Sequence, residues 1–327
     1  MEIVTALPWE LGADLVITAG LLKAGILVGV LWLAVRVLPA RLTELRASLW
    51  VFGFAALLAV PLVSVNWGRP LLDLQVVSFP QGLFRDEGAS SPAFWIFLVW
   101  AAGAAALLGR FLLHCLRVRQ MARAARPAES PRLLALLEEA RRRVGVGRSV
   151  RLALTPEAGA PLLVGWPRPV VLLAPDAAEW PEDRLLAVLC HELAHVRRRD
   201  YPAMILGEVV RALYWVNPLV FFGLREARME QDKACDAVAL RAGFRSAVYA
   251  RHLVDVARCV RARAVAPAAL TFGRRSDLRS RVGVLLDRGQ DAARGRGRAF
   301  TLASAAVVAL ATGALAATNF WICTGGS

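Results

Sequence analysis

The sequence predicts a polytopic α-helical membrane protein with a polar α+β domain inserted between its third and fourth spans. Three observations predict it. Hydrophobic residues make up 57% of the 327 positions while 20% are charged, so the two classes must be segregated along the chain. Four stretches approach the roughly 20 apolar residues that a bilayer crossing needs. The basic residues gather in one long segment between the last two of these stretches. The same composition excludes disordered and collagen-like classes.

The predicted spans are about Leu15–Leu38, Leu49–Trp67, Phe94–Leu116 and Phe300–Ile322. The first is not a cleavable signal: Glu2, Glu10 and Asp14 flank it where a signal carries basic residues, and its apolar run is too long. Lys23 falls inside it, and a charge at that depth is a functional candidate by default.

Forty lysines and arginines against 26 acidic residues give a formal charge of +14. Apart from Lys23, Arg36, Arg41, Arg46, Arg69, Arg85 and Arg110, every one of them lies between Arg117 and Arg298. The positive-inside rule then puts both termini outside and the 117–298 region in the cytoplasm of a cell-membrane protein. Topology and anionic lipid headgroups account for the charge, so no direct nucleic-acid partner is expected. The chain divides into residues 1–116 with three spans (about 15–38, 49–67 and 94–116), a cytoplasmic domain over 117–298, and a fourth span with a short outside tail over 299–327. Cys115, Cys190, Cys235, Cys259 and Cys323 form no CxxC pair and read as small buried hydrophobes, not as a disulfide or zinc framework.

Within the cytoplasmic region, Arg117–Arg126 is a basic juxtamembrane run. Ser130 and Pro131 start a helix that ends near Arg143 with basic residues in its last turn. Val150–Leu154, Pro161–Val164 and Val170–Leu173 read as short strands, the last two joined by a turn at Gly165-Trp166-Pro167. Pro181–Arg199, Glu226–Ala242 and Ser246–Arg263 read as helices, with a shorter helical piece near Leu278–Leu286. There is neither a complete dinucleotide-binding glycine loop nor a Walker A lysine.

The Pro181–Arg199 helix contains His191-Glu192-Leu193-Ala194-His195. The i,i+4 spacing puts both imidazoles on one helix face, where two nitrogens can bind a single Zn²⁺. Glu192 can then serve as the general base toward a metal-activated water. Random placement of the four histidines and the glutamates of this chain would yield only about 0.002 such motifs, so chance is a poor explanation. A catalytic zinc takes a third protein ligand and keeps one position open. His114 ends the third span and His252 lies on a later helix; both read as structural. An acidic ligand is therefore expected between Glu226 and Asp236. Asp232 and Asp236 stand one turn apart, so one can bind metal while the other accepts a hydrogen bond from a ligand imidazole; Glu230 competes as ligand.

Tyr201–Leu224 is apolar but cannot cross the membrane, because that would separate Asp232 from the histidines. It reads as a hairpin or interfacial element bent at Asn217-Pro218, with Glu208 and Arg211 toward protein or water.

The plan of three spans, an HExxH domain and a fourth span resembles the BlaR/MecR-type membrane metallopeptidases, peptidase family M56. The likeness rests on the HELAH motif, on Arg198-Arg199-Asp200, on Trp215-Val216-Asn217-Pro218-Leu219, on Ala234-Cys235-Asp236 and on the strand pair around Gly165–Pro175. The resemblance implies a zincin-like fold of gluzincin type and one zinc ion held by His191, His195 and an acid. It implies Glu192 as base and Asp236 as helper. The family's ligand glutamate falls at Asp232 here, one methylene shorter, so the helix must lie closer or Glu230 must substitute. It also implies cleavage of a cytoplasmic protein, such as a winged-helix transcriptional repressor, or self-cleavage in signal transduction. With Ser327 following soon after Ile322, no C-terminal penicillin-binding sensor is expected. Two other readings stand beside this one: a membrane quality-control protease resembling HtpX and the CAAX prenyl proteases, and a catalytically inactive signalling scaffold.

Overall fold

The computed structural model describes residues 21–40, 42–66, 72–73, 77–79, 92–262, 275–287, 318–319 and 322–324. Helix α1 (Ala24–Val37) and helix α2 (Thr43–Asn66) are apolar through most of their length and pack on each other. Lys23 is buried at the start of α1. Two short strands follow, β1 (Leu72–Asp73) and β2 (Val77–Phe79). Helix α3 (Pro92–Ala124) has 33 residues and so is about 50 Å long. Its Phe94–Ala124 portion is, among the described residues, the one helix long and apolar enough to cross a membrane. Trp95, Leu98, Val99, Leu112 and Leu113 stand exposed along it. The basic run after residue 117 continues this helix without a break. Residues 15–20 of the first predicted span, Trp67 of the second, and residues 300–317 and 320–321 of the fourth (Phe300–Ile322) lie outside the described residues, while Thr318–Asn319 and Ile322, expected at the end of the fourth span, are strand and not helix.

After α3 the chain builds the polar domain. Strand β3 (Arg126–Pro127) leads into α4 (Pro131–Val144), where Pro131 sits at the first helical position, suited to a residue without an N–H. Strands β4 (Arg151–Leu154), β5 (Leu162–Val164) and β6 (Val170–Leu173) complete a four-stranded sheet in the order β3-β4-β6-β5. Strands β4 and β6 are parallel, with Arg151 opposite Val170, and β5 runs antiparallel to β6, with Leu163 opposite Val171. All four residues of β6 are buried, which explains its unbroken Val-Val-Leu-Leu run. Gly165 turns β5 back toward β6 at φ 86°, where a Cβ would meet the Arg168 carbonyl at 2.8 Å.

A 3₁₀ turn (Pro175–Glu179) delivers the chain to α5 (Glu182–Arg198). Glu182 and Asp183 in its first turn and Arg197 and Arg198 in its last complement the helix dipole. It ends at Arg199, which adopts left-handed backbone (φ 60°), and α6 (Asp200–Leu213) starts at once. The next helix, α7 (Pro218–Arg241), is one continuous rod of 24 residues. The separate helix expected from Glu226 is its second half: no proline follows Pro218 within it, and Gly223 is carried inside the helix where it packs against Trp50. Helices α8 (Ser246–Ala262) and α9 (Arg275–Asp287) finish the domain. Strands β7 (Thr318–Asn319) and β8 (Ile322–Thr324) pair in parallel with β1 and β2.

Among the described residues three apolar clusters form: a small one joins Ala122 of α3 and Ala125 just after it to Ala153, Val164 and Leu172 of the sheet, and α7 runs through the other two. One joins Leu133, Leu137, Val171, Leu173, Leu185, Leu189 and Leu193 to Val238 and Ala239. The other joins Leu27, Leu31, Trp50 and Leu57 to Val210, Val220 and Leu224. The Tyr201–Leu224 stretch is the hairpin that the sequence predicts: α6, a turn at residues 214–217, and the start of α7. Asn217 caps α7 by accepting the Leu219 N–H at 3.0 Å and donates its amide to the Leu21 carbonyl at 3.2 Å. Tyr214 donates its hydroxyl to the Leu57 carbonyl at 2.6 Å. Glu208 pairs with Arg211 and Arg228, both at 2.5 Å, so the hairpin's charges are satisfied within protein.

Candidate active site

Helix α5 is packed on nearly all sides, with Leu185, Leu189, Leu193 and Ala194 fully buried. That packing fixes the one face on which His191 and His195 project. Their ring centroids are 5.0 Å apart and their planes nearly perpendicular, at 89°. Asp232, on α7, faces the same point: its Oδ1 lies 3.8 Å from His195 Nε2. One ligand-type atom from each of His191, His195 and Asp232 falls within 4.8 Å of the others. Two imidazole nitrogens and a carboxylate oxygen so close together suit a zinc ion with an open fourth position.

Each imidazole is anchored through its other nitrogen. His191 Nδ1 lies 3.1 Å from Asp236 Oδ1, and His195 Nδ1 lies 2.8 Å from Asp200 Oδ2. Donation of both Nδ1–H groups to carboxylates leaves both Nε2 lone pairs for a metal.

Asp236 is buried and held from two further directions. Arg281 of α9 grips it with two hydrogen bonds, Nε to Oδ2 at 2.8 Å and Nη2 to Oδ1 at 2.6 Å. The Tyr249 hydroxyl of α8 donates to Oδ1 at 2.9 Å. Burial alone would raise the pKa of this carboxyl; the Arg281 charge and the His191 contact reverse that and hold it well below the usual carboxylate range. Asp200 follows the same logic: burial opposes ionisation, and Arg198 and His195 hold its pKa below the ordinary value. Cys235 lies 3.2 Å from His195 Nδ1, but burial pushes its thiol up to about 12. It is therefore a neutral thiol at physiological pH in the metal-free fold.

Glu192 is buried and lines a cleft with His191, Tyr249, His252, Arg281 and Pro161, the residue that enters β5. The cleft has about 20 Å³ of free space, room for a water molecule. Glu230 faces elsewhere. It is fully buried against α2, with Arg46 at 3.1 Å and Lys233 at 3.0 Å.

The model of the family described as BlaR1 peptidase M56 matches residues 83–285. The chain belongs to this M56 family. A curated relative, the regulatory protein BlaR1 of Bacillus licheniformis, is 28% identical over 145 residues, covering 44% of this chain and 24% of that protein. This chain thus matches about a quarter of its relative's length.

Of the residues expected to form the M56 site, the fold brings together His191, Glu192, His195, Asp232 and Asp236, and directs Glu230 to an ion pair. Tyr249 and Arg281 escaped the sequence reading because they lie 13 and 45 residues from their partner Asp236. Asp200 had a local signal, five residues after His195 and just beyond the helix end.

Proposed function

We propose that this chain is a multi-pass zinc-dependent endopeptidase of the cell membrane. Its catalytic domain, residues 117–298, faces the cytoplasm and cleaves a protein partner there, such as a transcriptional repressor, or the chain itself. The observation that carries this reading is the convergence of His191, His195 and Asp232 beside Glu192 in one cleft. The two histidines and Asp232 would hold the metal, with Asp236 and Asp200 fixing the ring orientations. When bound there, zinc supplies Lewis-acid polarisation and lowers the pKa of water. Glu192 takes the proton of the attacking water and hands it to the leaving amine.

The membrane reading is supported by the exposed apolar side chains of α3, by Leu21, Ile26 and Val30 at α1, and by Leu219, Phe221 and Phe222 on the hairpin. The hairpin tip bonds to Leu21, Leu57 and Trp100 of three different helical segments. That pattern suits a re-entrant element whose polar groups are satisfied inside protein. The pairing of β1 and β2 with β7 and β8 suits a loop and a tail on one side of the bilayer. The relative's name, a regulatory protein, supports a regulatory role for the cleavage.

Strand β5 is an edge of the sheet and abuts the cleft through Pro161. A substrate segment in extended form adds to this edge, and its side chains alternate toward and away from the site.

The deciding experiment compares the proteomes of cells carrying the wild type and Glu192→Ala, with zinc content measured on both purified proteins. A cytoplasmic protein, or this chain, that is cut only in the wild type is the expected result. Identical proteomes, with this chain itself intact in both, would sink the proposal.

A further inference from the structure

His252 is the cleft residue without an evident occupation. Both of its ring nitrogens are buried and neither has a hydrogen-bond partner. A buried polar group without a partner is unfavourable, so an imidazole in this state calls for a partner. Burial, and then Arg184 nearby, push its pKa below the ordinary imidazole value, so the ring is neutral near pH 7 and offers one N–H donor.

Its neighbours in the cleft are spoken for. His191 Nδ1 and the Tyr249 hydroxyl both face Asp236, and Arg281 spans Asp236 and Asp232. Glu192 is an acceptor. Among these side chains, His252 is the one that lines the cleft with Glu192 and has ring nitrogens without a partner. We propose that His252 is a catalytic residue that donates its ring N–H to the carbonyl oxygen of the scissile peptide bond. This rests on the zinc endopeptidase reading. As the water oxygen bonds to the carbonyl carbon, the C=O π pair moves onto the carbonyl oxygen and the water's proton moves to Glu192. The His252 hydrogen bond strengthens as that charge grows. The C–N bond then breaks, the carbonyl re-forms, and the amine leaves with the proton from Glu192.

The test uses the purified full-length protein loaded with zinc in detergent. It is titrated calorimetrically with a dipeptide phosphonamidate, whose tetrahedral anionic phosphorus mimics the water adduct. Wild type, His252→Phe, His252→Ala and His252→Gln are compared for zinc content, melting temperature and affinity. Zinc content stays the same in all four. His252→Phe melts no lower than the wild type, because it keeps a ring and removes two unsatisfied polar atoms. Affinity falls about 10- to 100-fold in the Phe and Ala variants, and His252→Gln, which retains an N–H donor, recovers part of it. Equal affinity in all four zinc-loaded proteins, measurable or not, overturns the role of His252 and leaves the metal reading in place. A wild type that takes up no zinc overturns both.

Discussion

Trp215 and Trp100 hold each other's segments by reciprocal bonds. Trp215 donates its indole N–H to the Trp100 carbonyl at 3.1 Å, and Trp100 donates its own to the Leu213 carbonyl at 2.8 Å. The hairpin turn is thereby fastened to the long apolar helix one turn from Gly103, where a Cβ would stand 2.5 Å from the Trp215 ring. Gly103→Leu is expected to force the hairpin off α3 at a cost of about 1–3 kcal/mol. Gly109, on the same helix, has nothing within 4 Å of a built Cβ. Gly109→Leu should melt within a degree or two of the wild type. Equal melting of the two variants in detergent would contradict the close fit.

The acids on α7 should separate cleanly in metal content. Asp232→Ala is expected to lose zinc by elemental analysis, and Glu192→Ala to keep it while losing peptide cleavage. Glu230→Gln should keep zinc and fold less stably, since Arg46 and Lys233 lose their buried counter-charge. Zinc lost from Glu230→Gln but retained in Asp232→Ala would exchange their roles.

Arg281→Ala leaves Asp236 buried without its guanidinium, a loss of about 3–5 kcal/mol when one partner of a buried pair is removed. The sign with pH follows from the depressed carboxyl. Stability from ionised Asp236 is fully present above the unfolded carboxylate pKa, near 3.8, and is lost as pH falls through the lower folded value. The gap between wild type and Arg281→Ala, measured by unfolding of the metal-free protein, should thus be constant at high pH and shrink on acidification from the variant's Asp236 pKa, which burial without Arg281 moves above 3.8. A gap that widens on acidification would refute the assignment.

Cys190 and Cys235 should resist alkylation in the folded protein. Burial pushes both thiols up to about 12. Iodoacetamide at pH 8 is expected to modify half-buried Cys259 well before either of them, and to reach both after unfolding in denaturant. Peptide mass spectrometry reads the order, and early labelling of Cys190 would contradict its burial.

What the sequence made legible is what short-range chemistry encodes. The HExxH pair follows from helical spacing, the Asp232–Asp236 pair from the same rule on α7, and the hairpin bend from Asn217-Pro218. The helix start at Pro131 is written in the residues themselves. The joint between hairpin and second helix was not legible, since Glu226 marks a change from apolar to polar surface and not a break in the backbone. Arg281 was hidden for a different reason. An arginine in an arginine-rich segment carries no local sign of the one carboxylate, far away in sequence, that it will grip. Glu230 and Asp232 look alike in sequence, and only their opposite faces on α7 separate them: one meets Arg46, the other the histidines.

Helix α7 begins at Pro218, beside the hairpin tip, and reaches Asp232 fourteen residues later, about 21 Å along its axis. Its middle is clasped to α2 by Glu230 on Arg46, and its far end by Arg241 on Glu44. A rod gripped at both ends behaves as a lever. A small tilt imposed on α2 or on the hairpin would swing the Asp232 carboxylate toward or away from the two imidazoles, so in the proposed peptidase the grip on the metal would report mechanical strain among the apolar helices.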